Sequence, residues 1–212
     1  MAVYDPTHTY PNYLRMITEE TMIRYGGQLV TIKKGAMLFD QDDSAKYYFQ
    51  VSKGKVKMCN VNDEGKEFVQ GIFGPGESFG EPPLFADFGY PAAAVALTEA
   101  TLWRVEKNKF IELLLENPET HLEVTFALAK RLYYKSLMQR EISQHQPERR
   151  ILALIDYMKG EEGLKEEDDY EVPMTRQQVA DMTGLRVETV IRTVKKLEKE
   201  NELKIRKHKI VR

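Results

Sequence analysis

The stretch Met174-Thr175-Arg176-Gln177-Gln178-Val179-Ala180-Asp181-Met182-Thr183-Gly184-Leu185-Arg186-Val187-Glu188-Thr189-Val190-Ile191-Arg192-Thr193-Val194-Lys195-Lys196-Leu197 decides how the C-terminal third of the chain folds. Thr175 suits a helix N-cap, and Gln178 three residues later completes a capping-box spacing. Val179, Ala180 and Met182 give the short helix that follows an inward face. Gly184 sits where a tight turn needs positive φ, which glycine adopts without a Cβ clash. Arg186 to Asn201 reads as a second helix, with Val190, Val194 and Leu197 at spacings of four and three. Two short helices joined by a glycine turn make a helix-turn-helix.

The second helix then exposes Arg186, Glu188, Thr189, Arg192, Lys195 and Lys196. Glu188 and Arg192 are four apart and share a face. In a major groove an arginine can pair bidentately with guanine, and a glutamate can accept from cytosine N4. Threonine and lysine suit phosphate contacts, which position without reading sequence. The tail from Leu203 to Arg212 alternates around a polar tip, as a basic β-hairpin wing carrying Arg206 would. Residues 174–212 carry a balance of +6 and residues 1–173 one of −8, so a basic tail hangs on an acidic body. Such asymmetry suggests an anionic partner for the tail. A surface ion pair between Glu188 and Arg192 is the plainer alternative. The capped first helix, the glycine turn and the +6 balance together favour DNA reading. A protein–protein adaptor would be separated from it by salt dependence.

Upstream, Gln146-Pro147 breaks the pattern as a hinge, Glu148 to Met158 reads as a helix, and Gly160 to Asp169 as a mobile acidic loop. From Glu119 to about Gln144 there is no Gly and no Pro. Leu122, Val124, Phe126, Leu128, Leu132, Tyr133, Leu137 and Ile142 cover more than one apolar stripe of that helix. One face can cover the N-terminal half and the other the same helix of a second copy, so a homodimer is expected. Ten of the 13 glycines lie between Gly26 and Gly89. Between them run Leu29–Ile32, Met37–Phe39, Tyr47–Val51, Val56–Val61, Phe68–Phe73 and Ala92–Leu97, then Leu102–Val105, with Asp63-Glu64-Gly65-Lys66 as a hairpin turn. An antiparallel, jelly-roll-like β-roll of about eight strands over residues 28–106 follows. The expected class is α+β: a β-roll sensor domain at 1–117, a dimerisation helix at 118–145 and a winged helix-turn-helix at 146–212.

The composition excludes several other classes. The 212 residues hold 31 Lys and Arg against 33 Asp and Glu, so the net charge of −2 says nothing of partners. No apolar run approaches the ~20 residues of a membrane helix, and Met1 to Asn12 has no apolar signal core. A cytoplasmic location is expected. One cysteine, Cys59, cannot build a disulfide, a structural zinc site or an iron–sulfur cluster, and reads as a small hydrophobe in a strand. No His lies between His8 and His121, which argues against a metal enzyme built on the roll. No P-loop, GxGxxG, GxSxG or HExxH pattern appears, and no catalytic residue or metal is assigned. Tyr10 and Tyr13 read as packing residues before pocket residues.

Taken together and in this order, three stretches resemble the CRP/FNR family of bacterial transcription regulators. They are Gly76-Glu77-Ser78-Phe79-Gly80-Glu81 with Leu84-Phe85, Thr175-Arg176-Gln177-Gln178 with Val179-Ala180, and Glu188-Thr189-Val190-Ile191-Arg192. The resemblance covers nearly the whole chain. It implies that Arg176 and Gln177 contact DNA backbone and that Glu188 and Arg192 read bases. Val187 stands where some members place another arginine, as in the FNR-like branch, so a TGA/TCA-type half-site core is expected with the flanking base open. An activator would also meet RNA polymerase.

For the effector pocket, Gly80 and Glu81 match the family's ribose-holding pair. The phosphate-holding Arg-Ser positions fall on Pro91 and Ala92, and the adenine-contacting Thr-Ser pair on Lys135 and Ser136. No arginine lies between Arg24 and Arg104, so a cyclic phosphate lacks its charge-assisted partner. The resemblance thus argues against cyclic AMP, and against the iron–sulfur and haem sensors, whose ligands are missing. An atypical phosphate site and a pocket filled by side chains stay open, as does an apolar effector.

Overall fold

The computed structural model describes residues 17–63, 65, 67–86 and 88–212. Tyr10, Tyr13, Glu64 and Lys66 lie outside the described residues. A short helix α1 (Glu19–Arg24), capped by Thr18, precedes the roll. Eight strands follow: β1 (Gln28–Ile32), β2 (Met37–Phe39), β3 (Tyr47–Lys53), β4 (Val56–Val61), β5 (Glu67–Phe73), β6 (Ser78–Phe79), β7 (Ala93–Ala96) and β8 (Ala100–Glu106). A one-turn helix α2 (Pro82–Phe85) sits between β6 and β7. The strands form two antiparallel four-stranded sheets, in the orders β1-β8-β3-β6 and β2-β7-β4-β5.

The hairpin expected around Gly65 joins β4 to β5, with Gly65 at φ 75° and its N–H donating to Asn62 O at 2.8 Å. Register slips inside this pair. Met58 faces Gly71 and Cys59 faces Val69, so Gln70 is left over as a bulge. Between the sheets the core is aromatic. Phe39 stacks on Tyr90 at 3.6 Å, and Phe79 stacks on Phe49 and meets Phe73. Ala92, Ala94 and Ala96 are fully buried, because small side chains leave room for those rings.

Helix α3 (Lys107–Glu116) packs on β3 and β8, and helix α4 (Pro118–Ser143) packs on α3. Tyr48 stacks on Phe110, and Val124 of α4 joins this second core. At its other end α4 contributes Met138 to a third core, which holds the C-terminal helices together. These are α5 (Pro147–Glu161), α6 (Arg176–Thr183) and α7 (Val187–Lys199), followed by a two-stranded wing, β9 (Lys204–Arg206) and β10 (Lys209–Val211). The loop expected from Gly160 begins two residues later, because α5 runs through Gly160 to Glu161. Buried Lys159 then donates to Glu166 O at 2.7 Å and holds the connection against α5. Pro147 opens α5 at its first turn, where a missing N–H costs nothing. Arg150 spans the break. Its guanidinium donates to Ile142 O in the last turn of α4 at 3.3 Å and to Thr183 O at the end of α6 at 3.1 Å.

Candidate nucleic-acid interface and the mouth of the roll

The first helix of the pair is built as its sequence requires. Thr175 Oγ1 accepts from Gln178 N at 3.2 Å, and Thr175 N donates back to Gln178 Oε1 at 2.9 Å. Gly184 ends α6 in the left-handed conformation at φ 68°. Its neighbour is Phe68 of β5, 3.5 Å from where a Cβ would stand. Arg186 is the N-cap of α7 rather than its first helical residue.

α7 is sharply two-faced. Val190, Val194 and Leu197 are buried, whereas Arg186, Glu188, Arg192, Lys195 and Lys196 are exposed and Thr189 is half-buried. Among the described residues Glu188 and Arg192 form no ion pair with each other. Glu188, Ile191, Arg192, Lys195, Lys196 and Lys199 line one open groove along the helix. Lys196 is engaged by Glu148 of α5 at 2.8 Å, which holds the Glu148 carboxyl below its usual range. In the wing, Arg206 pairs with Asp169 at 2.6 Å, and that contact pulls the Asp169 pKa down. On α6, Gln177 donates to Asp181 at 2.7 Å, while burial lowers the pKa of half-buried Arg176. A polynucleotide would meet exposed Arg186, Arg192 and Lys195 directly, and would exchange phosphates for carboxylates at Lys196 and Arg206.

The six residues carried over for the effector pocket stand in different surroundings. Gly80 is buried at φ 76°, and a Cβ there would press on Tyr90 at 3.0 Å and Phe39 at 3.2 Å. Ala92 is buried in the roll, whereas Pro91 is exposed and its carbonyl accepts from Asn60 Nδ2 at 2.7 Å. Ser136 is exposed and spends its hydroxyl on Leu132 O. Lys135 reaches the bulge, donating to Gln70 Oε1 at 3.1 Å. Glu81 is 1% exposed and is gripped from α4 by a residue that reading along the roll misses. Arg131 Nη1 donates to both carboxylate oxygens at 2.9 and 2.8 Å, and Nη2 to Ser78 O at 2.5 Å. Ser78 Oγ donates to the same carboxylate, and the guanidinium lies 5.1 Å over the Phe73 ring. Counting arginines only between Arg24 and Arg104 overlooks a cation that arrives 50 residues later on a helix folded over the mouth.

A double-sheeted β-roll, a long connecting helix and a winged helix-turn-helix together define a class of DNA-binding transcription regulators. Comparison with known proteins agrees. Residues 29–117 match the family described as cyclic nucleotide-binding domain, and residues 149–212 the Crp-like helix-turn-helix domain. The cAMP-activated global transcriptional regulator CRP of Haemophilus influenzae is 32% identical over 171 residues, covering 79% of this chain and 75% of that protein. The probable transcriptional regulator flp of Lacticaseibacillus casei is 28% identical over 169 residues, covering 80% and 75%. Among solved structures, the c-di-GMP responsive global regulator CLP of Xanthomonas campestris shares the fold, with a TM-score of 0.70 at 21% identity over 91% of this chain and 98% of that one. The chain belongs to the CRP/FNR family of DNA-binding transcription regulators. Among the described residues no helix is long and apolar enough to cross a membrane.

Proposed function

We propose that this chain works as a cytoplasmic homodimer that binds an inverted-repeat operator, with three working parts at 1–117, 118–145 and 146–212. The observation that carries the proposal is the two-faced α7, which buries Val190, Val194 and Leu197 and turns Glu188, Arg192 and Lys195 outward. Glu188 and Arg192 read bases. Thr175, Arg176, Gln177, Arg186, Thr189, Lys195, Lys196 and Arg206 meet the backbone. Dimerisation through α4 is supported by the stripe Leu122, Phe126, Ala129 and Tyr133, in which Leu122 is 55% and Tyr133 66% exposed. Two recognition helices about one helical turn apart then fit successive major grooves. If the regulator is an activator, RNA polymerase is its further partner.

The effector is a small molecule other than cyclic AMP, or the roll works with its interior filled. Support comes from Glu81, whose two oxygens already hold Arg131, and from the rings of Phe39, Phe49, Phe79 and Tyr90 packed inside. A cAMP-responsive regulator with an altered phosphate site is the second reading. Lys135, one turn beyond Arg131, is the observation in its favour, and the Haemophilus influenzae relative is cAMP-activated. Selection of duplexes from a random pool, at two salt concentrations and with or without cyclic AMP, tests both. Enrichment of an inverted repeat, lost in Glu188→Ala and Arg192→Ala variants that still dimerise, is the expected result. Each lost base contact should cost ~1–3 kcal/mol, and retained preference in both variants would refute the assignment. Enrichment that appears only with cyclic AMP would favour the second reading.

A further inference from the structure

α7 leaves one of its aliphatic side chains in the open. Val190, Val194 and Leu197 are buried and Val187 is half-buried, yet Ile191 is 43% exposed. A lone exposed aliphatic is ordinary on most protein surfaces. The surroundings of this one are not. At about 100° per residue, Ile191 falls about 60° from Glu188 and about 40° from Lys195, at the edge of the polar face. Of the six side chains lining the groove along α7, it is the one without a polar atom. A β-branched residue in a helix is also stiff at χ1, so its methyl groups stay where the backbone aims them.

The major groove offers one apolar group, the C5 methyl of thymine. Glutamate, arginine and lysine have no use for it, and an aliphatic side chain does. We propose that Ile191 is a further specificity-determining residue. It packs against a thymine methyl next to the base pairs met by Glu188 and Arg192, and so selects thymine at one position of each half-site. The proposal rests on the DNA-reading assignment above and adds to it the base that a non-polar contact chooses.

The test uses the operator recovered by selection, resynthesised with each thymine in turn replaced by deoxyuridine, which deletes only the methyl. Affinity is measured by fluorescence anisotropy at fixed salt for the full-length wild type and for Ile191→Ala. Truncating an exposed residue keeps the core of α7 intact, and circular dichroism checks that it does. At one thymine per half-site, uracil should weaken wild-type binding about four-fold, the factor carried by one methyl group in an apolar contact. Ile191→Ala should bind the thymine and uracil duplexes equally, which cancels any effect of uracil on DNA shape. Wild-type indifference to uracil at every position, or a full thymine preference in Ile191→Ala, would overturn the proposal. A selection that yields no sequence at all would bring down the parent assignment with it. A selected operator with a flat uracil scan would bring down only the role of Ile191.

Discussion

Replacing Arg131 by Met would strand a carboxylate. Glu81 is 1% exposed, and both its oxygens take hydrogen bonds from the guanidinium, which also holds Ser78 O. Truncating one partner of a buried pair costs about 3–5 kcal/mol, because the surviving charge has no water to return to. Arg131 itself is 27% exposed, so water can enter the gap, which sets the expected loss near the lower end, at about 3 kcal/mol. Losing the guanidinium over Phe73 adds about 0.5–1 kcal/mol. Trp103, the chain's single tryptophan, is buried in β8 and reports on the roll. Urea unfolding followed by its fluorescence, at one fixed protein concentration because assembly shifts apparent stability, measures the change. Adding Glu81→Gln to Arg131→Met removes the stranded charge and should recover at least half of the loss. A single-variant loss below about 1 kcal/mol, or no recovery in the double variant, would show that the pair is not what holds α4 to the roll.

Gly184→Ala should cost about 1–2 kcal/mol, since its φ of 68° strains an L-residue while its Cβ would meet Phe68 at an ordinary 3.5 Å; a much larger loss in thermal melting would mean a clash instead. Thr175→Ala should cost about 1 kcal/mol through the lost cap, and Thr175→Ser almost nothing; equal losses would rule out capping. Burial pushes the Cys59 thiol up to about 12, with Glu67 adding to the effect. A raised acid pKa stabilises the fold below the ordinary thiol range and loses that contribution as pH climbs towards the folded value. At pH 8 a thiol reagent should therefore label native Cys59 no faster than the chain unfolds, and a fast labelling phase would contradict it. Leu122→Glu combined with Tyr133→Glu should leave monomers in sedimentation experiments, with at least a ten-fold weaker grip on an inverted repeat. An unchanged mass would mean that α4 is not the seam.

Local chemistry made most of the architecture legible. β2 and β4 stand where their apolar runs and flanking turns put them, and α4 where an unbroken span follows Pro118. The capping box and the glycine turn carried the helix-turn-helix, because Thr175, Gln178 and Gly184 act on neighbours three or four residues away. Features made by distant parts of the chain left no such trace. β6 is two residues long and exists because Phe79 and Ser78 pair with Phe49 and Gln50. α1 owes its place to Met22 filling a core that also takes Phe110 and Trp103. The Glu81 carboxylate could be found by resemblance, but its partner could not. Arg131 looks like any exposed-face arginine until α4 is laid across the mouth of the roll.

Arg150 gives the break between α4 and α5 a mechanical character. Helix ends leave carbonyls without their intrahelical partners, and this one guanidinium reaches two such ends, Thr183 O of α6 and Ile142 O of α4, which His145 N–H also serves. The oxygens belong to two different helices, and the arginine sits on a third. Turning α4 about its axis relative to α6 would stretch or break one of these two hydrogen bonds, and α6 ends at the Gly184 turn that leads into α7. The joint is a rivet shared by three helices, where a slack tether would leave each of them free. Losing either hydrogen bond is enough to part α4 from α6 at this point.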